Sequence, residues 1–292
     1  MFDLSGVITA IATPMDDAEK INEAELRRQV NRQIDAGVHG LFALGTNGEF
    51  YALSWEEKLL VMRAILEETA GRVPVIGGVG CITTRETIAL AKEAEQTGLE
   101  AITVIVPYFV AVSQDQIYDH FRRVAESVNL PILLYNIPMR TGNSIEIETA
   151  QRLAEIPNIV GIKDSSGKME NLQTLIDETP GEFHVYVGTD SLILKTLQAG
   201  GRGAVSGCAN LFPKLMARIY NSWKKGDLQD ATTAQELVNP IRSTFKLGNP
   251  NSVVKRTLEL LGHPVGPARS PVNISSAEID EAIRKALETY RE

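Results

Sequence analysis

Eight short runs rich in β-branched residues recur along the chain, most of them about 25 to 35 residues apart, and each is followed by a longer amphipathic segment. They cover residues 6–12, 40–44, 73–78, 101–106, 132–136, 159–163, 184–188 and 204–206. Strands that alternate with helices pair in parallel, and eight such units are the number that closes on itself. The expected architecture is therefore α/β, a (β/α)8 TIM barrel spanning residues 1–224. After the eighth helix, read over 210–224, the pattern turns to helices without strands at 228–247, 252–261 and 275–290. Residues 225–292 are accordingly expected to form a C-terminal helical extension.

Local punctuation agrees with this reading. Gly37, Gly98 and Gly200 stand where a helix should stop before the next strand, and Ser54 and Ser113 read as N-caps with Glu57 and Gln116 three residues on. A formal net charge of −8 argues against a nucleic-acid or anionic-membrane partner. The start, Met1-Phe2-Asp3-Leu4, has no basic segment, and residues 7–12 are too short for the apolar part of a signal peptide. The longest apolar run, 101–112, is interrupted by Pro107 and falls short of the ~20 residues a membrane helix needs. Cys81 and Cys208 have no paired spacing, which fits a reducing compartment, so a cytoplasmic protein is expected. The four histidines, His39, His120, His184 and His263, are scattered without ligand spacing, so a metal-dependent aldolase is not expected.

In a barrel of this kind chemistry collects at the carboxyl ends of the strands. The sixth run, Ile159-Val160-Gly161-Ile162-Lys163, delivers a single cation to the tip of a buried strand and turns at once into the polar loop Asp164-Ser165-Ser166-Gly167. Period-two alternation groups Lys163 with Gly161 and Ile159, leaving room beneath it for a long side chain. Such a lysine is costly unless neutralised, paired or used. Two readings stay open: a Schiff-base nucleophile, or a structural lysine that reaches to solvent or pairs with Asp164.

The second run leads into Gly45-Thr46-Asn47-Gly48-Glu49, which is either a carboxylate-holding loop of exposed N–H groups or a tight turn with positive φ at its glycines. The fifth leads into Tyr135-Asn136-Ile137-Pro138-Met139-Arg140, where a tyrosine could relay protons and an arginine clamp an anion, or both could be structural. Gly188-Thr189-Asp190 reads as an N-cap opening the next helix.

Gly45-Thr46-Asn47-Gly48-Glu49, Tyr135-Asn136-Ile137-Pro138 and Gly161-Ile162-Lys163-Asp164, in this order and at these distances, resemble the signature of the dihydrodipicolinate synthase and N-acetylneuraminate lyase family, and the likeness runs from Gly6 through the helical tail. The resemblance implies a lysine that forms a Schiff base with pyruvate or another 2-oxo acid, an aldehyde as second substrate, a homotetramer built as a dimer of dimers, and no cofactor. It assigns Lys163 as the Schiff-base lysine, Tyr135 as the proton shuttle and Thr46 as its link to solvent. The amides of Thr46 and Asn47 would hold the keto-acid carboxylate, Arg140 the carboxylate of the aldehyde, and Gly188 and Val205 would line the pocket. One position departs: Phe109 stands where the synthase branch carries a relay tyrosine contributed by a neighbouring subunit, and phenylalanine has no hydroxyl. Trp55, Lys58 and Ile82 likewise replace polar residues of the lysine feedback site, so lysine inhibition is not expected. The implied activity is 4-hydroxy-tetrahydrodipicolinate synthase, with cleavage of a 2-keto-3-deoxy sugar acid or 4-hydroxy-2-oxoglutarate as the alternative, and a non-catalytic keto-acid sensor as the reading from another class.

Overall fold

Each of the eight runs is a strand, and each hydrogen-bonds in parallel to the next until the eighth returns to the first: β1 Gly6–Ala10, β2 Gly40–Ala43, β3 Val75–Gly78, β4 Ala101–Ile105, β5 Ile132–Asn136, β6 Ile159–Asp164, β7 His184–Val187 and β8 Gly203–Ser206. This is a computed structural model that describes residues 4–272 and 276–290. The expected chain start at residues 1–3 and Ser275, the expected first residue of the last helix, lie outside the described residues. Closure is direct, with Ile8 of β1 opposite both Gly40 of β2 and Val205 of β8.

Side chains sort into two layers because successive residues of a strand face opposite ways. Ile8, Ala10, Phe42, Ile76, Ala101, Leu133, Tyr186 and Val205 fill the barrel interior. The alternate residues pack against the surrounding helices, whose apolar faces recur at helical spacing, as in Glu23–Asp35 with Leu26 and Val30 buried. Ser54 and Ser113 close capping boxes with Glu57 and Gln116 as read. No helix among the described residues is long and apolar enough to cross a membrane.

Three sequence readings change. The alternation through β6 is broken by a register shift: Ile132 pairs with Ile159 but Leu133 with Gly161, so one residue is extra. Val160 therefore packs on the interior cluster and Ile159 on the outer one, so of Gly161 and Ile159 only Gly161 stays on the face of Lys163. A Cβ on Gly161 would lie 2.2 Å from the His184 carbonyl oxygen, so glycine is there for the approach of β7. The helix expected over 228–247 is two, Leu228–Glu236 and Asn239–Thr244, since Pro240 has no N–H to give and its ring would strike the preceding turn. The helix expected from residue 210 begins at Pro213, after a short 3-10 turn, Cys208–Asn210. The remaining described helices of the tail are Pro250–Leu260 and Ala277–Leu287.

Candidate active site

The register of β5 on β6 places Tyr135 directly beside Lys163, both at the carboxyl end of the barrel. Lys163 is only 5% exposed. Its Nζ sits 3.8 Å from the centroid of the Tyr135 ring and 5.1 Å from that of Phe42. It neither reaches out to solvent nor pairs with its sequence neighbour. Asp164 points to the other face, where one oxygen accepts from Asn136 Nδ2 at 2.8 Å and the other from Ser166 Oγ at 2.5 Å. A buried amine stacked between two aromatic faces, with no carboxylate paired to it among the described residues, is placed for reaction rather than for structure.

Tyr135 extends the constellation. Its hydroxyl lies 3.0 Å from Thr46 Oγ1 on the loop after β2. That loop is held in an unusual way. The residues with positive φ are its flanks, Leu44 at 60° and Glu49 at 56°, and neither glycine adopts that region. The glycines answer a different need: a Cβ at Gly45 would lie 2.9 Å from the Phe42 ring, and one at Gly48 would lie 3.1 Å from the Ile11 carbonyl oxygen. Left-handed backbone at Leu44 and Glu49 costs on the order of 1–3 kcal/mol each and persists only where the surroundings over-determine it. Here they do. Glu49 is fully buried, its carboxylate 2.6 Å from Lys255 Nζ and 2.8 Å from the Arg269 amide, while Asn251 Nδ2 donates to the Thr46 carbonyl at 2.8 Å.

Thr46, Asn47, Tyr135, Arg140, Lys163, Gly188 and Val205, the residues given catalytic or binding roles from sequence, line one cavity of about 590 Å³. Gly188 is needed for space, since a Cβ there would fall 1.9 Å from Ser165 Oγ and 3.0 Å from Lys163 Cε. A Cβ on Gly207 would press Asn47 Nδ2 at 2.8 Å. The N-cap reading of Asp190 is not what forms: a 3-10 turn, Asp190–Leu192, precedes the helix Ile193–Gln198, and no side chain caps either. The Asp190 carboxylate instead accepts from Ser206 Oγ at 2.5 Å and the Cys208 amide at 3.3 Å, tying β7 to β8 beneath the cavity.

Sequence reasoning missed the contribution of the tail. Arg242, Lys246 and Asn251 also line the cavity. Arg242 is braced over the Phe245 ring at 5.0 Å, with Nε 3.9 Å from Asp190. Together with Arg140 they give the mouth a positive field in a chain whose net charge is −8, suited to a substrate with more than one anionic group. Asn249 caps the helix Pro250–Leu260, but nothing local in the sequence joins Asn251 to Thr46 some two hundred residues earlier.

Comparison with known proteins bears on the family and the fold. The model of the dihydrodipicolinate synthetase family matches residues 3–290. A 4-hydroxy-tetrahydrodipicolinate synthase from Methanopyrus kandleri is 41% identical, over 98% of this chain and 96% of its own. Among solved structures, a dihydrodipicolinate synthase from Bacillus anthracis is similar with a TM-score of 0.96 at 32% identity, over 100% of both chains. A dihydrodipicolinate synthase from Acinetobacter baumannii, solved in complex with pyruvate, is similar with a TM-score of 0.95 at 35% identity, over 98% of each chain.

Proposed function

This chain belongs to the dihydrodipicolinate synthetase family, and on that premise we propose that it condenses pyruvate with aspartate semialdehyde through a Schiff base on Lys163. The observation that carries the reading is the buried, carboxylate-free Lys163 amine beside Tyr135, whose hydroxyl is linked at 3.0 Å to Thr46.

The Lys163 amine attacks the ketone carbon of pyruvate. Tyr135 returns a proton to the departing hydroxyl, water leaves, and a protonated imine remains. The imine draws electrons from the adjacent methyl, which loses a proton to the Tyr135–Thr46 pair and becomes an enamine. The enamine carbon then bonds to the aldehyde carbon, whose oxygen takes a proton back from the Tyr135–Thr46 pair as it becomes a hydroxyl, and attack of the semialdehyde's own amino group on the regenerated imine carbon closes a ring and expels the Lys163 amine. In this scheme the Thr46 and Asn47 amides hold the pyruvate carboxylate, Arg140 the carboxylate of the aldehyde, and Gly188 and Val205 shape the wall. Binding both partners in one cavity makes the bond-forming step effectively unimolecular.

Turnover of pyruvate with aspartate semialdehyde tests this, and absence of a condensation product sinks it. A second reading, cleavage of 4-hydroxy-2-oxoglutarate, has support from Arg242 and Lys246, which add cationic groups for a dianion. Release of pyruvate from that compound faster than condensation with the semialdehyde would favour it. Division of the chain into a barrel, 1–224, and an extension, 225–292, is part of the proposal, supported by the strand-free run after β8. So is assembly into a homotetramer, supported by the apolar pair Phe109 and Val110, 88% and 48% exposed, and measurable by sedimentation.

A further inference from the structure

We propose that Tyr51 supplies, from within the same chain, the hydroxyl that passes protons between Thr46 and solvent, by way of water held in a second chamber behind Thr46. The inference rests on the Schiff-base reading above and deepens it. Tyr135 and Thr46 can exchange a proton with each other, but a turnover that takes a proton from the pyruvate methyl must connect the pair to bulk water. Phe109, at the position where the synthase branch carries a hydroxyl, has none to offer, and its exposed ring lines neither cavity.

The chamber has a volume of about 250 Å³, room for several water molecules, and Thr46, Arg140 and Asn251 line both it and the main cavity. Three further hydroxyls line its wall, those of Tyr51, Tyr108 and Thr141. The single proton of Thr141 is claimed by the carbonyls of Asn143 at 2.8 Å and Ile137 at 3.1 Å. Tyr108 is set edge-on to Phe50 at 6.0 Å, and among the described residues no hydrogen bond ties its hydroxyl to Thr46 or to Asn251.

Tyr51 is tied to the site. Asn251 Nδ2 donates to its hydroxyl oxygen at 2.8 Å and to the Thr46 carbonyl at 2.8 Å, so one carboxamide keeps the phenol within two hydrogen-bond lengths of the Thr46 backbone. That donation fixes one lone pair and leaves the other to accept a proton and the O–H to give one, as a relay requires. The phenol need not ionise, since it releases one proton as it takes another. Tyr51 is 43% exposed, which opens the far end of the path to solvent. It touches no reacting atom, and its role is to position and pass protons through Thr46.

The test is Tyr51→Phe, which keeps the ring and its edge contact with Phe50 at 5.8 Å. The readout is exchange of pyruvate methyl protons for deuterium in heavy water without aldehyde, followed by NMR across a pH series. The expected result is exchange slower by about tenfold or more, with KM for pyruvate and the melting temperature unchanged and partial recovery in Tyr51→His. A loss smaller than about tenfold at every pH, or a loss matched by a rise in KM with exchange at saturation intact, overturns the relay. Absence of exchange in the unaltered protein, together with failure of borohydride to trap pyruvate on it, would instead defeat the Schiff-base reading and the relay with it.

Discussion

Replacing Lys255 by methionine separates what holds the catalytic loop from what reacts in it. Lys255 and Glu49 are 1% and 0% exposed, and their charged atoms stand 2.6 Å apart. Lys255 Nζ also donates to the Pro267 carbonyl at 2.8 Å. Burial pushes the lysine pKa down and the Glu49 carboxylate pulls it back up. Lys255→Met leaves the carboxylate buried and uncompensated, which costs about 3–5 kcal/mol. At roughly 2–4 °C per kcal/mol for a chain of this size, the melting temperature should fall by roughly 10 °C. Adding Glu49→Gln removes the stranded charge and should restore most of the stability. Because Glu49 is held at φ 56° directly after the Thr46 loop, the double variant should still turn over slowly. Thermal and urea unfolding, run beside a turnover assay, report both effects. A single variant within about 1 kcal/mol of the parent, or a double variant no more stable than the single, would refute the claim that this pair locks the loop.

Gly188→Ala should lower kcat/KM by roughly a hundredfold with little change in melting temperature, because the new Cβ, 1.9 Å from Ser165 Oγ and 3.0 Å from Lys163 Cε, turns the hydroxyl away and displaces the amine at the cavity wall rather than the core. Arg140→Ala should raise KM for the aldehyde while leaving trapping of pyruvate intact, and steady-state kinetics in each substrate separate the two. His120 gives a pH signature: burial, with help from Arg123, lowers its pKa from 6.5 to about 4. Its folded value lies below its unfolded one, so the unfolded chain binds the proton first. The stability is complete above pH 6.5 and declines as pH falls to about 4, by about 3 kcal/mol, then levels off. Urea unfolding across that range should show this slope in the parent and lose it in His120→Gln.

Much of this molecule was legible before its coordinates. Eight evenly placed β-branched runs leave few alternatives to a closed parallel barrel, and residues at strand ends were brought to one cavity because the fold leaves them nowhere else to go. What escaped reading is non-local. The extra residue at Val160 shows only in the pairing of β5 with β6. Positive φ at Leu44 and Glu49 has no mark in the sequence, because glycine is the usual owner of that region, whereas here the glycines give room to Phe42 and Ile11. Asp190 stands where a cap would, but its carboxylate accepts from Ser206 at the end of β8 instead of from the helix terminus. Asn251, Lys255 and Arg242 carry no local mark of a site and acquire one only when the tail folds over the barrel mouth.

The account turns on the Lys163 amine, and borohydride reduction in the presence of pyruvate examines it directly. Intact mass followed by peptide mapping should find one pyruvate-derived adduct per chain, on Lys163, and none in Lys163→Ala folded to the same melting temperature. An adduct on another lysine, or no adduct at all under conditions where the protein is folded, would contradict it.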